Sequence, residues 1–535
     1  MKKKYVLFSI VIVVLLVTFV TCFNYFKTTN NYVEDNVNNQ TKITKGISMN
    51  LEQTAGAGDY KTVTQSSWPT EGYKFNTELS RCENGSELSW DDTNKKVIVS
   101  GNMSDKCYVY FDLARFDETC DTSTLACHIA KLYTGTQGEN GIYYHNSSLE
   151  NGAGDNSYRY AGGDYILTEK ATIAGMKSLT SSSDTETDGI TNFYCDGERQ
   201  YPYDFDCDTT SQTYYFTLQY DTTNTQYKTY NEALEKAITD GYLTKDNIKN
   251  FVCFGSVSVT CPEENLYRII GVIDGKVKLM KYTYNTKEQL GEDGDFSETI
   301  TLSDFGQTTY RGNSTAIDTY YWNNSTKKNT WSESLLNKTN LNTNFINNIG
   351  STWANKIMMT TWKVGGNTYA NIYNVIPATT YQNEVVNPTP GSYSTTGETE
   401  YSAKIGLMYA SDYGFAASPS AWTTTLNNYY GYDDNKVAIT DTNWMFIGSY
   451  DWVISRNADN SNDAFSVRDD GLVDDTPVDN DGGVFGVRVS FNLAPSVTYV
   501  SGDGTQNSPI RINWKTIIKK HYLHKMCENS AFFFG

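Results

Sequence analysis

The chain reads as a strand-rich α+β protein set behind one N-terminal membrane helix, and three observations predict this. Residues 5–23 form an almost unbroken apolar run preceded by Lys2, Lys3 and Lys4. Short runs rich in Val, Ile, Tyr and Thr alternate with Gly- and Asn-bearing turns over much of the remaining sequence, the pattern of β-strands joined by turns. Eight of the ten cysteines fall as close neighbours in one stretch, as they do in disulfide-bearing modules.

The N-terminal run fixes the topography. Roughly 20 apolar residues cross a bilayer as a helix, and the lysines before them favour a cytoplasmic N-terminus with the bulk of the chain outside. No small-x-small cleavage site follows, so residues 1–23 read as a retained, single-pass signal anchor in the cell membrane. A lipoprotein signal ending at Cys22 fits Phe19-Val20-Thr21-Cys22 poorly. The net charge of −19 over 535 residues repels phosphate backbones and excludes nucleic acid as a partner. Residues 24–65 are polar and Asn/Thr-rich, with glycines at 56 and 58. They read as a flexible stalk too poor in apolar surface to fold alone.

Outside the cell, cysteines pair. Nearest-neighbour pairing predicts Cys82–Cys107, Cys120–Cys127, Cys195–Cys207 and Cys253–Cys261, because short loops close readily. With no C-x-x-C and only four His, zinc is disfavoured. Residues 66–111 form a small disulfide-bonded, β-sandwich-like module, with strands at Glu87–Trp90, Lys96–Ser100 and Cys107–Phe111. Residues 112–260 are an irregular, disulfide-bearing α+β middle region, with helices expected at 124–134, 231–241 and 245–251 and a strand at Tyr214–Tyr220. Residues 261–513 open with a hairpin, Leu266–Ile273 against Lys276–Lys281, whose Asp274-Gly275 favours a tight primed turn. Leu341, Phe345, Ile349, Trp353 and Ile357 recur at helical spacing, with Gly350 as the weak point. Residues 514–535 are a basic tail of uncertain status.

The last large segment resembles a C-type-lectin-like domain of unknown function found in secreted proteins of low-GC Gram-positive bacteria. The resemblance rests on Tyr267-Arg268-Ile269-Ile270 through Leu279-Met280, Trp331–Asn337 through Phe345, Ile405-Gly406-Leu407-Met408, Trp452–Arg456, Gly486-Val487-Arg488 and the coda Ser501–Thr505 through Pro509. Val489 stands where the family pattern has proline. The segments Cys82–Phe111 and Asn250–Val272 are similar to parts of anchored surface proteins of gut bacteria. The resemblance implies a C-terminal C-type-lectin-like domain at 261–513. This fold is shared with formylglycine-generating enzymes, whose chemistry needs cysteines inside the fold, and none occurs between Cys261 and Cys527.

Other catalysis also finds little support. A nucleophile needs a neighbouring base, and the four histidines, His128, His145, His521 and His524, all lie outside 261–513. Cys127 beside His128 is expected in a disulfide. The acidic run Asp469, Asp470, Asp474, Asp475, Asp479 and Asp481 reads first as a solvated loop. Calcium is the one cofactor it admits. Asp459, Asp463 and Asp470 fall at calcium-loop spacing, but Ala464 occupies the position where the sharp turn needs glycine. Aromatic residues point more directly to binding, since exposed rings stack on sugars and anchor interfaces. The resemblance places Trp444 and Trp452 in the core, leaving Tyr450, Asn457, Asn460 and Asp463 as the candidate contact surface. The expected role is therefore non-catalytic: binding or adhesion by a membrane-anchored surface protein to a glycan or protein ligand. The alternatives are a structural envelope protein without specific ligand and a carboxylate-dependent glycoside hydrolase.

Overall fold

In the computed structural model of the chain, the described residues run from 46 to 163 and from 248 to 514 with short breaks, plus five strands between these stretches. They form two compact units, divided after Arg115. The architecture is mixed α+β and rich in strands. No described helix is long and apolar enough to cross a membrane. The expected anchor at 1–23, the helix at 231–241 and the tail beyond 514 lie outside the described residues.

The first unit contains β1 (Ile47–Glu52), β2 (Tyr60–Val63), β3 (Tyr73–Phe75), β4 (Arg81–Cys82), β5 (Glu87–Asp91), β6 (Lys96–Ser100) and β7 (Cys107–Leu113). The sheet order is β2-β1-β7-β3, with β4 also on β7, while β5 and β6 pair as a separate hairpin. Alternate residues Met49, Leu51, Val109 and Phe111 face one core with Trp68, and Leu88, Trp90 and Val97 of the hairpin pack against it. This is the two-layer packing expected of a small sandwich. Cys82 lies directly opposite Cys107 in the β4–β7 register, and the two form a disulfide.

The flexible stalk expected at 24–65 is corrected here over its described part. Residues 47–63 supply two strands of this sheet, and β1 pairs in parallel with β7. Asn- and Thr-rich composition hid the alternation of Ile47, Met49 and Leu51, whose apolar face is buried by a partner far along the chain. The module therefore begins before residue 66.

The second unit is organised by a seven-stranded sheet. Its centre is the predicted hairpin, Leu266–Ile273 paired antiparallel with Lys276–Lys281. Asp274 and Gly275 both take positive φ, 49° and 68°, as a primed turn requires. The strand Lys276–Lys281 pairs on its other edge with Ser490–Asn492 near the end of the described chain. Leu266–Ile273 pairs with β9 (Ser157–Tyr160), which pairs with β8 (Ile142–His145). A second sheet joins Gly366–Asn367, Asp451–Asn457, Asp463–Val467 and Val473–Pro477.

A domain boundary near residue 261 is thus corrected: β8 and β9, from the expected middle region, are strands of the same central sheet. The described residues of the helix expected at 245–251 are not helical. Leu243–Lys245 and Phe251–Cys253 are strands, and buried Asn250 donates to Ile269 O and accepts from Arg268 Nε at 2.6 Å. Those bonds hold the chain extended along the sheet. The helix near 124–134 forms as Leu125–Ala130, with the Thr124 side chain accepting from Cys127 N. Tyr214–Leu218 is a strand, as expected. Leu336–Phe345 is wound as a π-helix, with Leu336, Leu341 and Phe345 buried, and Gly350 at φ +74° separates it from Ser351–Ala354. Disulfides join Cys120–Cys127 and Cys253–Cys261; the Cys195–Cys207 pairing falls outside the described residues.

Gly271 is where β9 meets the hairpin. It pairs with Arg159 beside a bulge, and a Cβ there would lie 2.2 Å from Tyr158 O. Gly271→Ala is expected to push the strands apart and destabilise the unit by about 1–3 kcal/mol, the usual range for overpacking. A urea-denaturation midpoint equal to wild type would refute this.

Candidate functional site

One candidate surface lies at the end of the second sheet. Asn329 organises it: its buried Nδ2 is 2.8 Å from Asn457 O, 2.8 Å from Asn460 O and 2.7 Å from Asp463 O. This amide fixes the loop between the strands Asp451–Asn457 and Asp463–Val467. Asn460 Nδ2 donates to Asp463 Oδ2, and Asn457 Nδ2 donates to Asp475 Oδ2 at 3.1 Å. Burial, with Asp463 and Asp474 nearby, pushes the Asp475 carboxyl up to about 6. Burial also raises Asp463, against the hydrogen bond from Asn460.

Aromatic surface adjoins these polar groups. Asp459 Oδ1 accepts from Tyr369 N at 3.1 Å, at the start of the helix Tyr369–Asn374, which the Thr368 side chain caps. Tyr369 and Tyr373, one turn apart, hold their ring centroids 4.3 Å from each other. Tyr369 is 41% exposed, and Tyr373 OH lies 3.4 Å from Asp474 Oδ1. The result is a patch with rings on one side and amides and carboxylates on the other.

The structure gathers Asn457, Asn460 and Asp463 but not Tyr450, and of the three only Asn460 is exposed, Asn457 and Asp463 being 2% and 9% exposed. Tyr450 precedes the opposite end of the strand Asp451–Asn457, packs edge-on against Phe485 at 5.0 Å and bonds Asp469, with burial raising its hydroxyl. The calcium set is likewise dispersed. Asp463 opens the strand Asp463–Val467 and Asp470 lies beyond its end. At about 3.3 Å per residue, extended chain separates them. Asp459 instead faces Tyr369 N, and Asp470 faces Leu472 N and lies 3.8 Å from Arg468. Ala464 continues a strand where a calcium loop must turn. Among the described residues no group of three or more His, Cys, Asp or Glu is placed to hold a metal. Trp444 and Trp452 are buried, their indoles donating to Tyr160 O and Tyr320 O. Tyr369 and Tyr373 escaped the sequence reading, although their spacing after a capping Thr was a legible helical signal.

A second polar constellation is buried. Asp412, in the helix Ala410–Ala416, faces Arg159 Nη1 at 3.2 Å and Lys278 Nζ at 2.5 Å, and accepts from Tyr409 N at 2.9 Å. Arg159 also holds Asp155 at 2.8 Å, and Tyr381 OH donates to the same carboxylate at 2.7 Å. Glu384 accepts from Ser411 N at 2.7 Å and from Ser455 Oγ; burial pushes its carboxyl up to about 7, with Asp412 adding to the rise. Burial, then the nearby Arg159 charge, holds the His145 imidazole down to about 3. Its Nδ1 accepts from Ala153 N at 3.0 Å.

A groove of about 450 Å³ lies elsewhere, between the disulfide loop Cys253–Cys261 and the hairpin Val497–Ser501/Arg511–Trp514. Val257 and Val259 project from the loop, 92% and 100% exposed. Comparison of the chain with protein-family models, with curated proteins and with solved structures returned no match in any of the three.

Proposed function

We propose that this chain is a membrane-anchored, extracytoplasmic surface protein that binds a glycan without transforming it, through a lectin-like C-terminal unit. The observation that carries the reading is the Tyr369–Tyr373 ring pair beside the exposed Asp459 and Asn460 and the half-buried Asp474 and Asp475. Sugar C–H faces stack on aromatic rings, while amides and carboxylates accept from or donate to ring hydroxyls. The lectin-like reading draws support from the central hairpin, whose far strand returns beside Ser490–Asn492.

Glycan-array binding by the purified protein tests the proposal. Tyr369→Ala and Tyr373→Ala should each weaken binding about two- to tenfold, the equivalent of ~0.5–1.5 kcal/mol per ring, while Tyr450→Ala leaves it unchanged. Absence of glycan binding, together with an envelope defect on deletion, would favour the purely structural alternative. A protein ligand is a second reading, favoured by the exposed Val257 and Val259 beside the groove. Val257→Asp abolishing adhesion while glycan binding persists would single it out.

A further inference from the structure

Three side-chain oxygens in the shell around Glu384, Asn367 Oδ1, Thr380 Oγ1 and Ser411 Oγ, find no hydrogen-bond partner among the described residues. These three residues and Glu384 are at most 1% exposed. Polar atoms withdrawn from water in this way cost stability unless something inside the fold bonds them. Local structure gathers them. Thr380 and Glu384 stand one turn apart where the helix Pro377–Tyr381 runs on as Gln382–Val386, a spacing that sets their Cβ atoms about 5–6 Å apart on one face. Asn367 Nδ2 donates to Thr380 O at 3.4 Å, which lays its amide against the same turn. Ser411 N donates to Glu384 Oε1 at 2.7 Å, which keeps the Ser411 hydroxyl beside the carboxylate. Ser455 Oγ donates to Glu384 Oε2, and Ser455 shares a strand face with Asn457, the residue opposite Asn367.

We propose that Asn367 Oδ1, Thr380 Oγ1, Ser411 Oγ and the Glu384 carboxylate bind one monovalent cation, Na⁺ or K⁺, inside the second unit. Hard cations take oxygen ligands, and this set contains neither nitrogen nor sulfur. Each Glu384 oxygen accepts one hydrogen bond and keeps a lone pair for a further partner. Ser455 is a positioning residue: its Oγ accepts from Ala410 N at 3.4 Å while donating to Glu384, so it fixes the carboxylate in place.

Charge selects a monovalent ion. The buried network holds the carboxylates of Asp155, Asp412 and Glu384 against the cations Arg159 and Lys278. Asp155 and Asp412 are ion-paired, and Glu384 has no ion-pair partner among the described residues. With all five groups ionised, one negative charge is left over, and it resides on Glu384. An uncompensated buried charge is costly. One Na⁺ or K⁺ closes the balance, whereas a divalent ion would leave a positive excess in the interior. Calcium sites also draw on several carboxylates, and this one has a single carboxylate. Internal water satisfies orphaned oxygens too, but it supplies no charge, so the two occupants differ in their response to salt.

The test is urea denaturation of the purified full chain at pH 8 in KCl, NaCl or tetramethylammonium chloride at equal ionic strength, the last cation being too bulky for the site. The expected result is a folding constant for the second unit that grows about tenfold for each tenfold rise in K⁺ or Na⁺ above its dissociation constant, with no response to tetramethylammonium. Thr380→Val and Ser411→Ala each remove an unpartnered hydroxyl. Both should fold in tetramethylammonium chloride at least as stably as wild type, while the half-saturating K⁺ or Na⁺ concentration rises about tenfold or more. Glu384→Gln should abolish the response, and Asp459→Ala should keep it. Equal wild-type midpoints in the three salts overturn the proposal and leave bound water or a proton on Glu384. An undiminished response in Thr380→Val, Ser411→Ala and Glu384→Gln overturns the location. Stabilisation by micromolar Ca²⁺ where K⁺ and Na⁺ have no effect overturns the monovalent assignment.

Discussion

Asp412→Ala is expected to destabilise the second unit by about 3–5 kcal/mol, the range for stripping one partner from a buried ion pair. The substitution leaves Lys278 Nζ and Arg159 Nη1 without the carboxylate that separates them. Both cations are almost fully buried, so neither can recover its hydration without opening the core. Tyr409 N also loses its acceptor at the start of the helix Ala410–Ala416. Asp459→Ala is the control: it removes an exposed carboxylate bonded to Tyr369 N and should change stability by less than about 0.5 kcal/mol. Urea denaturation of the three proteins decides. An Asp412→Ala midpoint matching the control would show that the buried charges contribute nothing to stability.

The residues that the sequence revealed and those it concealed differ in how far away their partners lie. The hairpin around Asp274-Gly275 was legible because its turn and both strands occupy neighbouring sequence. The Cys253–Cys261 pairing was legible for the same reason. The parallel pairing of β1 with β7 was not, because Ile47–Leu51 meets Cys107–Phe111 only after the intervening strands form. The buried network was less visible still. Lys278 alternates with Val277 and Leu279 as an outward-facing residue of a one-sided strand would, yet this strand is covered on both faces. Its partner Asp412 is 134 positions away, and Arg159 lies 253 positions from Asp412. Hydropathy patterning treats each of these residues as solvated. At the candidate binding surface, Asn460 was legible as a polar loop residue, whereas Asn457 and Asp463 are buried strand ends. The placement of Tyr369 and Tyr373 beside them depends on contacts such as Asp459 with Tyr369 N, which spacing along the chain does not encode.

Stability of the second unit should peak on the acid side of neutral, near pH 4. His145 is buried and its pKa falls from 6.5 to about 3. Because the folded value is the lower one, its contribution is complete above about pH 6.5 and is lost as pH falls toward 3, at ~1.4 kcal/mol per pH unit. Glu384 works in the opposite sense. Burial raises it from 4.5 to about 7, so its contribution is complete below about pH 4.5 and is lost as pH rises to 7, roughly 3 kcal/mol in all. Asp451 is buried against Arg488 and raised from 3.8 to about 6, so its contribution is lost as pH rises between those values. From pH 3 to 3.8 the His145 gain stands alone among the three, and stability rises. From 3.8 to 4.5 His145 and Asp451 offset one another. From 4.5 to 6 the two carboxyls together outweigh the imidazole, and stability falls. Urea midpoints measured from pH 3 to 7 should trace this asymmetric dome. Glu384→Gln should flatten its neutral limb and His145→Phe its acid limb. A midpoint that climbs steadily from pH 4 to pH 7 in wild type would mean that Glu384 and Asp451 are ionised without penalty inside the fold.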